Sequence, residues 1–569
     1  MWIKSIAICL SLLALIIAIV LNNVVMRRKI FFFVIKKALN LMNGKVAKYR
    51  EIQWQQGPKE KISDKDDKSP NIILILADDL GFNDVSSYGD EGVAGTDLKT
   101  PHIDSIGKDG VKFMNGYTTS ATCAPSRAGL MSGRYPSRTG YEYTPLPGVF
   151  VPIFTTVTNY LWPRGESYYN VVPPSPNCDQ SDPKCPRLKP WYELGLSTDE
   201  ITIATQLKKK GYYTAHIGKW HLGRDDKFQP NAHGFDDSLQ MHSGLYLPEV
   251  HPDVVNGHRD IDPQETILRF IFQHAAKFNK GEVFQPGGYI TDYYTDEAVK
   301  MIEGNKNRPF FLYMAHFAPH YPLQALRSDY DSLAHIDDHN VRVYASMIKS
   351  VDRSVGRILS AVEENGLTDN TIVIFSSDNG GASNIGVKGS NKPFRGYKST
   401  FFEGGTHIPF MMKWPKHIPP ATVYEPAVSH VDLFPTFSAA AGIALPDDRV
   451  MDGVNILPNI LDRKRGNPHE TIYWRAGDAC HAILHKGWKM QKYSDPDRVF
   501  LYHLAEDPTE QNNLSDVRPD KVAELELEFA KHNATQVAPD WAVNFKLPVP
   551  VDYITDEEYS IEDVVYFPY

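Results

Sequence analysis

The sequence predicts an α/β fold: a large doubly wound mixed sheet flanked by helices, with a smaller C-terminal α+β subdomain carrying a short antiparallel sheet. Continuous apolar runs of strand length indicate central strands buried on both faces, at Asn71–Ala77, Pro309–Met314 and Thr371–Phe375. From about residue 465 the pattern changes to short strands and turns, which is typical of a small added subdomain. The 569 residues are also too many for one small core.

These observations divide the chain into four parts. They are an N-terminal membrane anchor or signal anchor at 1–26, a juxtamembrane segment and linker at 27–69, a main domain at 70–464 and the C-terminal subdomain at 465–569. Residues 143–196 are rich in aromatic residues and prolines and are too long for a plain connection. We therefore expect an insertion or lid there.

The N-terminal segment has the features of a membrane anchor. Residues 5–26 carry no charged side chain, are long enough to cross a bilayer, and are followed by no Ala-x-Ala-like cleavage site. A cleaved signal peptide is the alternative. Arg27, Arg28 and Lys29 follow the segment and only Lys4 precedes it, which would keep the C-terminal side in the cytoplasm. We expect a membrane-anchored protein with its main domain in an exported compartment, and its orientation stays open.

Two cysteines in the insertion favour an exported location. Cys178 and Cys185 lie in a segment rich in proline and aspartate, and their spacing suits a local disulfide, which forms in oxidising compartments. Two unpaired loop cysteines are the alternative. The formal net charge of −9 argues against a nucleic-acid-binding protein. An anionic substrate would therefore have to be attracted by local positive charge.

Oxygen ligands follow two of the predicted central strands. Asp78 and Asp79 come directly after the first strand, and Asp378 and Asn379 follow the strand that begins at Thr371. Ligands of open parallel sheets gather outside the carboxyl ends of the strands, and carboxylate and amide oxygens suit a hard cation. A turn that merely caps the strand is the alternative for Asp78 and Asp79. The repetition of the pattern predicts a cation site at this edge.

A cysteine begins a predicted helix after the strand candidate Val111–Thr118. In the stretch Cys123-Ala-Pro-Ser-Arg127, Pro125 suits the first turn of a helix, and Arg127 lies one turn beyond Cys123. The positive end of the helix dipole and the arginine would both favour an anion. A buried free cysteine before an ordinary helix is the alternative reading of these five residues alone.

Basic side chains follow the other predicted strands. The candidates are Lys219 and His221 after the strand Tyr212–Gly218, His316 and His320 after Pro309–Met314, and Lys398 before a glycine-rich turn. Each of them alone would most simply be a surface or loop residue. Together with the acidic strand ends and a helix N-terminus, they form the set that hydrolysis of a sulfate or phosphate ester requires, because charge must be held on the transferred group.

Helices are predicted between these strands. Ser197–Glu200 has capping-box spacing before the helix Ile201–Lys210. A long amphipathic helix covers residues 339–366, and its charged side chains, including Asp352 and Arg353, are expected to form a solvated face without a functional role.

Several separate motifs resemble those of one enzyme family. In chain order they are Leu-Ala-Asp-Asp-Leu-Gly, Thr-Pro-His-Ile-Asp, Cys-Ala-Pro-Ser-Arg, Gly-Lys-Trp-His-Leu-Gly, Ser-Asp-Asn-Gly and Phe-Glu-Gly-Gly. Their order and content resemble the type I, formylglycine-dependent sulfatases, which are arylsulfatase-like members of the alkaline phosphatase superfamily. The resemblance covers roughly residues 70–545 and implies that the main domain is a sulfatase catalytic domain.

The resemblance also implies roles for individual residues. Cys123 would be converted to 3-oxoalanine (formylglycine) by a formylglycine-generating enzyme, and its hydrated aldehyde would be the nucleophile. The implied ligands of one divalent cation, usually Ca²⁺ in this family, are Asp78, Asp79, Asp378, Asn379 and the modified Cys123. Arg127 would steady the hydrate, and His221 would be the base that helps to expel sulfate. Sulfate and leaving-group contacts are implied for Lys219, His320 and Lys398, with His320 preferred over His316 because Tyr321 and Pro322 follow it.

The expected function is hydrolysis of an aryl or carbohydrate sulfate monoester to an alcohol and inorganic sulfate. A phosphonate monoester or phosphodiester hydrolase on the same scaffold is the first alternative, since such enzymes share much of this site. A non-catalytic, membrane-tethered binding protein with an unmodified cysteine is the second.

Overall fold

The computed structural model describes residues 45–61, 69–89, 96–145, 189–258, 269, 272–462, 466–543, 546–554 and 557–569. The predicted anchor at 1–26 and the disulfide candidates Cys178 and Cys185 lie outside these residues, as does most of the 143–196 insertion. The elements and contacts of the fold belong to the described ranges.

The strands are β1 Asn71–Ala77, β2 Val111–Phe113, β3 Gly116–Tyr117, β4 Tyr213–Gly218, β5 Asp237–Gly244, β6 Val254–Asn256, β7 His274–Phe278, β8 Val283–Phe284, β9 Phe310–Ala315, β10 Gln324–Leu326, β11 Thr371–Ser377, β12 Phe410–Lys413, β13 Thr422–Tyr424, β14 Val428–Ser429, β15 Thr471–Ala476, β16 Cys480–His485, β17 Trp488–Ser494, β18 Asp497–His503, β19 Lys546–Pro550 and β20 Val564–Pro568.

The α-helices are α1 Pro101–Lys108, α2 Cys123–Ser132, α3 Pro136–Thr139, α4 Ile203–Lys208, α5 Ile290–Asn305, α6 Arg327–Ser332, α7 His339–Glu364, α8 Glu403–Thr406, α9 Leu433–Ala440, α10 Leu457–Leu461 and α11 Pro519–Asn533.

A ten-stranded mixed sheet forms the centre of the molecule, in the order β13-β2-β12-β11-β1-β9-β4-β5-β7-β8. The five strands from β11 to β5 are parallel, and β12 and β7 join this group in antiparallel orientation. Ala77 pairs with Ser377, and Gly218 pairs with Ala315, so neighbouring parallel strands end in register. The residues that follow β11, β1, β9 and β4 are therefore delivered to one edge of the sheet.

The central strands are buried on both faces, as their continuous apolar runs predict. In β1, Ile72 and Leu74 pack into the hydrophobic cluster on one face, and Ile73 and Ile75 pack into the cluster on the other. Each side chain is fully buried, and burial of one such side chain contributes about 1.5–3 kcal/mol relative to its exposed state. This double-sided core holds the strand ends, and hence the polar residues beyond them, in fixed positions.

The C-terminal part contains a four-stranded antiparallel sheet, β15-β16-β17-β18. Helix α11 packs on it through Leu525 and Phe529, which contact Ile483, Met490 and Leu501. β19 and β20 pair as a separate antiparallel hairpin. The predicted fold class is thus confirmed in both of its parts. The boundary placed at 464/465 stays a prediction.

Two local predictions are wrong. Helix α4 begins at Ile203 and is capped by Thr202, whose hydroxyl accepts a hydrogen bond from the Thr205 N–H at 3.2 Å, so the capping box placed at Ser197–Glu200 does not start it. The strand candidate Val111–Thr118 is split into β2 and β3, which belong to different sheets. In both cases the apolar pattern located the segment but not the point where its backbone changes direction.

The membrane-anchored localisation needs correction. Within the described ranges, no helix combines the length and the apolar character that crossing a bilayer requires. The charge-free run on which the prediction depended lies outside them. We therefore withdraw the membrane-anchored localisation.

Candidate active site

The four oxygen-bearing residues predicted at the strand ends meet at one edge of the sheet. The Asp79 N–H donates to Asp378 Oδ1 at 3.2 Å, and the Asn379 side-chain amide donates to Asp79 Oδ1 at 2.8 Å. The Asp378 N–H donates to the carbonyl of Ala77 at 3.1 Å, which continues the pairing of β1 and β11 past the strands. Asp78, Asp79, Asp378 and Asn379 are all buried.

Cys123 is the first residue of helix α2 and points at these acids. Its Sγ lies 3.2 Å from Asp78 Oδ1 and 3.6 Å from Asp79 Oδ1, and it is 3.2 Å from Lys398 Nζ. Every residue of α2 is buried, and Cys123 itself is only 3% exposed. The predicted helix start, the acidic strand ends and the lysine therefore form one site.

Three basic side chains contact the acids directly. Lys219 Nζ lies 2.5 Å from Asp78 Oδ2, and Lys398 Nζ lies 2.7 Å from Asp79 Oδ1. His320 Nε2 is 3.6 Å from Asp79 Oδ2, while its Nδ1 contacts the backbone carbonyl of Tyr321 at 2.6 Å. We call Asp78, Asp79, Asp378, Lys219 and Lys398 the strand-end cluster.

Arg127 lies on the protein side of this cluster and is fully buried. Its Nε donates to Asp378 Oδ2 at 2.8 Å, and its Nη1 donates to the Lys219 carbonyl at 3.0 Å and to the Tyr313 hydroxyl at 3.3 Å. Its Nη2 is 3.7 Å from Asp78 Oδ1. The guanidinium thus joins the ends of β11, β4 and β1.

Burial and charge shift the pKa values in this site. Burial acts to raise the pKa of Asp79, but its interactions with Lys398, His320 and Lys219 outweigh this effect and hold that pKa well below its usual value. The pKa of the Cys123 thiol is raised well above its ordinary value by burial and by the charges of Asp378 and Asp78. The unmodified thiol is therefore protonated and a poor nucleophile at neutral pH.

His221 lies at the same edge, in a left-handed backbone conformation with φ 63°. Its carbonyl accepts a hydrogen bond from the Tyr141 hydroxyl at 2.9 Å, whereas its buried Nδ1 has no hydrogen-bond partner among the described residues. Burial, together with the charges of Lys219 and Arg127, lowers its pKa well below 6.5. The imidazole is therefore neutral at neutral pH.

The donor set is compatible with a metal ion. One ligand atom from each of Asp78, Asp79, Cys123 and His320 lies within 4.8 Å of all the others. The buried Asn379 Oδ1 is left without a hydrogen-bond partner in the part of the chain that the structure describes. An oxygen of this kind is costly to bury unless something binds it, and oxygen ligands are what Ca²⁺ and Mg²⁺ prefer.

Every predicted site residue that the structure describes is thus found at one edge of the sheet, and two neighbours were not predicted. Tyr313 contacts Arg127. Strand periodicity could have identified this tyrosine as a neighbour of the site only if the direction of β9 had been known. Ser399 Oγ lies 2.5 Å from the hydroxyl of Tyr569, and no motif marks that tyrosine. The roles implied for the predicted residues stay predictions at this point.

An edge of parallel strands with paired acids, cations and a buried helix start defines a class of protein, the hydrolases of sulfate and phosphate esters. Comparison with known families narrows the class. The sulfatase model matches residues 70–443, and the C-terminal model of N-sulphoglucosamine sulphohydrolase matches residues 396–535. The chain therefore belongs to the sulfatase family.

Characterised relatives agree with this assignment. Human N-acetylgalactosamine-6-sulfatase is 31% identical over 480 residues, covering 78% of this chain and 81% of the relative. The arylsulfatase of Hemicentrotus pulcherrimus is 29% identical over 427 residues, covering 73% of this chain and 66% of the relative. The protein is a sulfatase that hydrolyses sulfate esters. The family uses a metal ion and a formylglycine, and the buried Asp-Asp-Cys-His group is compatible with both.

Solved structures show the same fold. The crystal structure of Ps i-CgsB is 31% identical with a TM-score of 0.67, covering 83% of this chain and 95% of that one, and it has also been solved with k-i-k-neocarrahexaose. The phosphonate monoester hydrolase of Agrobacterium radiobacter is 18% identical with a TM-score of 0.53, over 82% of this chain and 95% of that one. At that identity the second likeness shows the fold alone, so phosphonate hydrolysis is a minor alternative.

Proposed function

We propose that this sulfatase removes sulfate from a carbohydrate sulfate monoester, using a formylglycine made from Cys123 and one bound Ca²⁺. The observation that carries the proposal is the position of Cys123 Sγ, 3.2 Å from both the Asp78 carboxylate and the Lys398 ammonium. A carbohydrate leaving group is supported by the name of the N-acetylgalactosamine-6-sulfatase relatives and by the saccharide bound to Ps i-CgsB.

Asp78, Asp79, Asp378 and Asn379 would hold the cation, with the modified Cys123 as a further ligand. When bound, the cation would polarise the sulfo group, and the formylglycine hydrate would supply the attacking oxygen. An all-oxygen set from carboxylates and one amide favours Ca²⁺ over softer metals. A formylglycine-generating enzyme is the partner that this maturation requires.

Lys219, Lys398 and His320 would bind the sulfate oxygens and the bridging oxygen to the alcohol. Lys219 and Lys398 contact Asp78 and Asp79, which places two ammonium groups around the Cys123 side chain. Negative charge grows on the bridging oxygen as the ester bond breaks, and donors already fixed in place stabilise that charge at little reorganisation cost.

Arg127 and His221 would act on the modified residue itself. Arg127 is held by Asp378 and by the Lys219 carbonyl, so its guanidinium is fixed at the inner side of the site. His221 Nδ1 would take a proton from a hydroxyl of the modified Cys123, which helps sulfate to leave. Neutrality of this imidazole follows from burial and from its positively charged neighbours, and a base must be neutral before it can accept a proton.

The raised pKa of the thiol supports the need for modification. A cysteine that stays protonated between two carboxylates cannot attack a sulfate ester, itself an anion, at a useful rate. Conversion of Cys123 replaces the thiol by an oxygen nucleophile at the same position of the chain.

The test combines mass spectrometry with assays. In protein made together with a formylglycine-generating enzyme, the Cys123 peptide should carry formylglycine, and a panel of sugar sulfates should include a substrate. Cys123→Ala should abolish this activity and leave the circular dichroism spectrum unchanged. Wild-type-like activity in Cys123→Ala would overturn the mechanism, and a faster reaction with a phosphonate monoester than with any sulfate would overturn the substrate class. Removal of Ca²⁺ by a chelator should abolish activity, and Ca²⁺ should restore it better than Mg²⁺ or Mn²⁺.

A further inference from the structure

Tyr141 contacts the backbone of His221, the residue proposed as the base. Its hydroxyl donates to the His221 carbonyl at 2.9 Å, and its side chain is fully buried. Burial raises the pKa of this phenol well above its usual value, so the hydroxyl keeps its hydrogen at neutral pH. Tyr141 is therefore a donor to the loop that carries the base at every pH at which the enzyme would work.

The loop that follows strand β4 is held at three of its carbonyl groups. The Lys219 carbonyl accepts from the Arg127 guanidinium at 3.0 Å, and the Leu222 carbonyl accepts from the Leu196 N–H at 2.9 Å. The bond from the phenol fixes the third carbonyl, which lies between these two in sequence. The three donors belong to different segments of the chain, so the path of the loop is determined by groups outside it.

His221 has a backbone conformation that a residue other than glycine adopts only at a cost. Its φ of 63° lies in the left-handed region, where the Cβ atom is crowded by the backbone. A residue keeps such a conformation only where its surroundings impose it. The buried Nδ1 of the imidazole has no hydrogen-bond partner among the described residues, so this nitrogen does not hold the ring in place. The direction of the ring therefore depends on the backbone to which Tyr141 is bonded.

The Tyr141 ring is itself fixed by the C-terminal part of the chain. It lies edge-on to the ring of Trp541, with centroids 5.0 Å apart and an interplanar angle of 89°. The carbonyl of the preceding residue, Gly140, accepts from the Asp540 N–H at 2.8 Å. One tyrosine thus connects the C-terminal segment to the loop of the proposed base.

We propose that Tyr141 is a positioning residue for sulfate release, whose hydrogen bond keeps His221 in the left-handed conformation that its imidazole needs to act on the modified Cys123. This inference rests on the proposed function, in which the imidazole takes a proton as sulfate leaves. The imidazole lies close enough to the strand-end cluster for the charges of Lys219 and Lys398 to lower its pKa.

The order of events in the reaction makes this role measurable. The alcohol leaves when the ester bond breaks, and the proposed base acts afterwards, on the release of sulfate. Slowing only the second of two steps lowers kcat and KM together, and it leaves kcat/KM unchanged because that ratio depends on steps up to the departure of the alcohol. Loss of the Tyr141 bond should therefore slow the release of sulfate and spare the cleavage of the ester.

The decisive variant is Tyr141→Phe in the full-length, formylglycine-containing enzyme, which removes one hydroxyl and keeps the ring. For the best sulfate ester of the panel we expect kcat to fall about tenfold, since a misplacement of about 1 Å is costly to a catalytic group. The value of kcat/KM should stay within about twofold. Rapid quenching should show about one alcohol released per active site ahead of sulfate.

The matched control is Tyr143→Phe. Tyr143 is also buried, but its hydroxyl lies beside Gly477 of the C-terminal part. This variant should change neither kcat nor KM, and it should show no added burst of alcohol.

Two further measurements separate positioning from a general effect on the fold. In protein with unmodified Cys123, a crystal structure of Tyr141→Phe should show the His221 imidazole displaced. In the His221→Ala background, Tyr141→Phe should change kcat by less than about twofold, because the group through which it acts is already absent. An unmoved imidazole, a further tenfold fall in that background, equal losses in kcat and kcat/KM, or unchanged kinetics would each overturn the inference.

A second variant decides the matter if Tyr141→Phe does not fold. Trp541→Leu changes the ring against which Tyr141 packs, and it should lower kcat about threefold with kcat/KM within about twofold. Equal losses in both quantities would contradict the proposed role. Wild-type-like activity in Cys123→Ala would overturn the proposed function and this inference together, whereas unchanged kinetics in Tyr141→Phe would leave that function standing.

Discussion

Two groups of buried charges in this molecule differ in how completely they satisfy one another. The strand-end cluster lies beside Cys123. The other, which we call the subdomain cluster, consists of Glu403, His407, Lys489, Gln491 and Glu510, and connects helix α8 to the C-terminal sheet. Lys489 Nζ lies 2.6 Å from Glu403 Oε1 and 3.4 Å from Glu510 Oε1. Gln491 donates to Glu510 at 2.9 Å, and His407 Nδ1 contacts Glu403 at 2.7 Å.

The comparison separates buried charges that stabilise the fold from buried charges that serve the active site. Each polar side-chain atom of the subdomain cluster has a partner within the described residues, so the group is closed and its role is structural. Beside the strand-end cluster, Asn379 Oδ1 and His221 Nδ1 have none in that part of the chain. Buried polar atoms without partners cost stability, and the fold retains them where a ligand or a reacting group satisfies them.

Among the variants that test this comparison, the largest expected effect on activity comes from opening the strand-end cluster. Lys398→Met removes a donor to the transferred group, so we expect kcat/KM to fall by about 10²–10³, the usual cost of one fixed electrostatic donor. The melting temperature measured with Ca²⁺ should stay close to that of the wild type. Lys416→Met, in an exposed pair with Asp369, is the control and should change neither quantity. A large loss of stability with normal catalysis would show that Lys398 serves the fold.

Breaking the subdomain cluster should reduce the stability of the fold and leave catalysis nearly unchanged. Lys489→Met leaves Glu403 without the cation that, against the effect of burial, lowers its pKa to about 2. Removing one member of a buried ion pair costs about 3–5 kcal/mol, which urea unfolding would measure. At a temperature far below the transition, kcat/KM per folded molecule should be near normal. Lys492→Met, in a partly exposed pair on the same strand, should cost at most about 1 kcal/mol.

The buried carboxyl of Asp84 belongs to neither cluster, and the pH dependence of stability shows whether it is satisfied by its partners. Asp84 Oδ2 accepts from the Tyr344 hydroxyl at 2.6 Å and from the Gly81 N–H at 2.9 Å, but burial outweighs these bonds and raises the pKa of Asp84 to about 7. A raised folded-state pKa adds stability that is complete below the unfolded pKa and is lost as pH rises through the folded one. The contribution of Asp84 should therefore disappear between about pH 4 and pH 7.

Urea unfolding at pH 5 and at pH 8 measures this contribution. Asp84→Asn should reduce the difference in the free energy of unfolding between the two values by on the order of 1–3 kcal/mol. Asp331→Asn, at an exposed position, is the matched control and should leave the difference as it is. An unchanged difference in Asp84→Asn would mean that Asp84 is ionised and satisfied by a partner, as in the subdomain cluster.

The sequence was most informative where function depends on the ends of strands. Asp78, Asp378, Lys219 and His320 each follow a buried apolar run, and parallel pairing places the ends of such runs at one edge, so their meeting could be predicted without a structure. The preference for His320 over His316 also agrees with the geometry, because His320 faces Asp79 whereas His316 contacts Ser354.

What the sequence could not predict depends on partners from distant elements. Asp352 was expected on a solvated helix face, and that prediction is wrong: it is buried, and its Oδ1 accepts the N–H groups of His102 and Ile103 at 2.9 and 2.8 Å. It thereby caps helix α1 from a helix 250 residues away. Helical periodicity treats a charged position as exposed, since it has no information about which helix end packs above it. Tyr569 could not be placed either, because its contact with Ser399 joins residues 170 positions apart.

Because helix α2 is buried in the folded protein, Cys123 is accessible to another enzyme for only a limited time during synthesis of the chain. Cys123 and Lys398 contact each other across 275 residues of sequence, so the thiol cannot be enclosed before the later segment has left the ribosome. At about 5–20 residues per second that interval is roughly 15–55 s. An enzyme that acts on Cys123 can reach the thiol within that interval, before the contact with Lys398 forms. The proposed maturation is therefore in competition with folding, and slower closure of the sheet should increase the fraction of chains that become active.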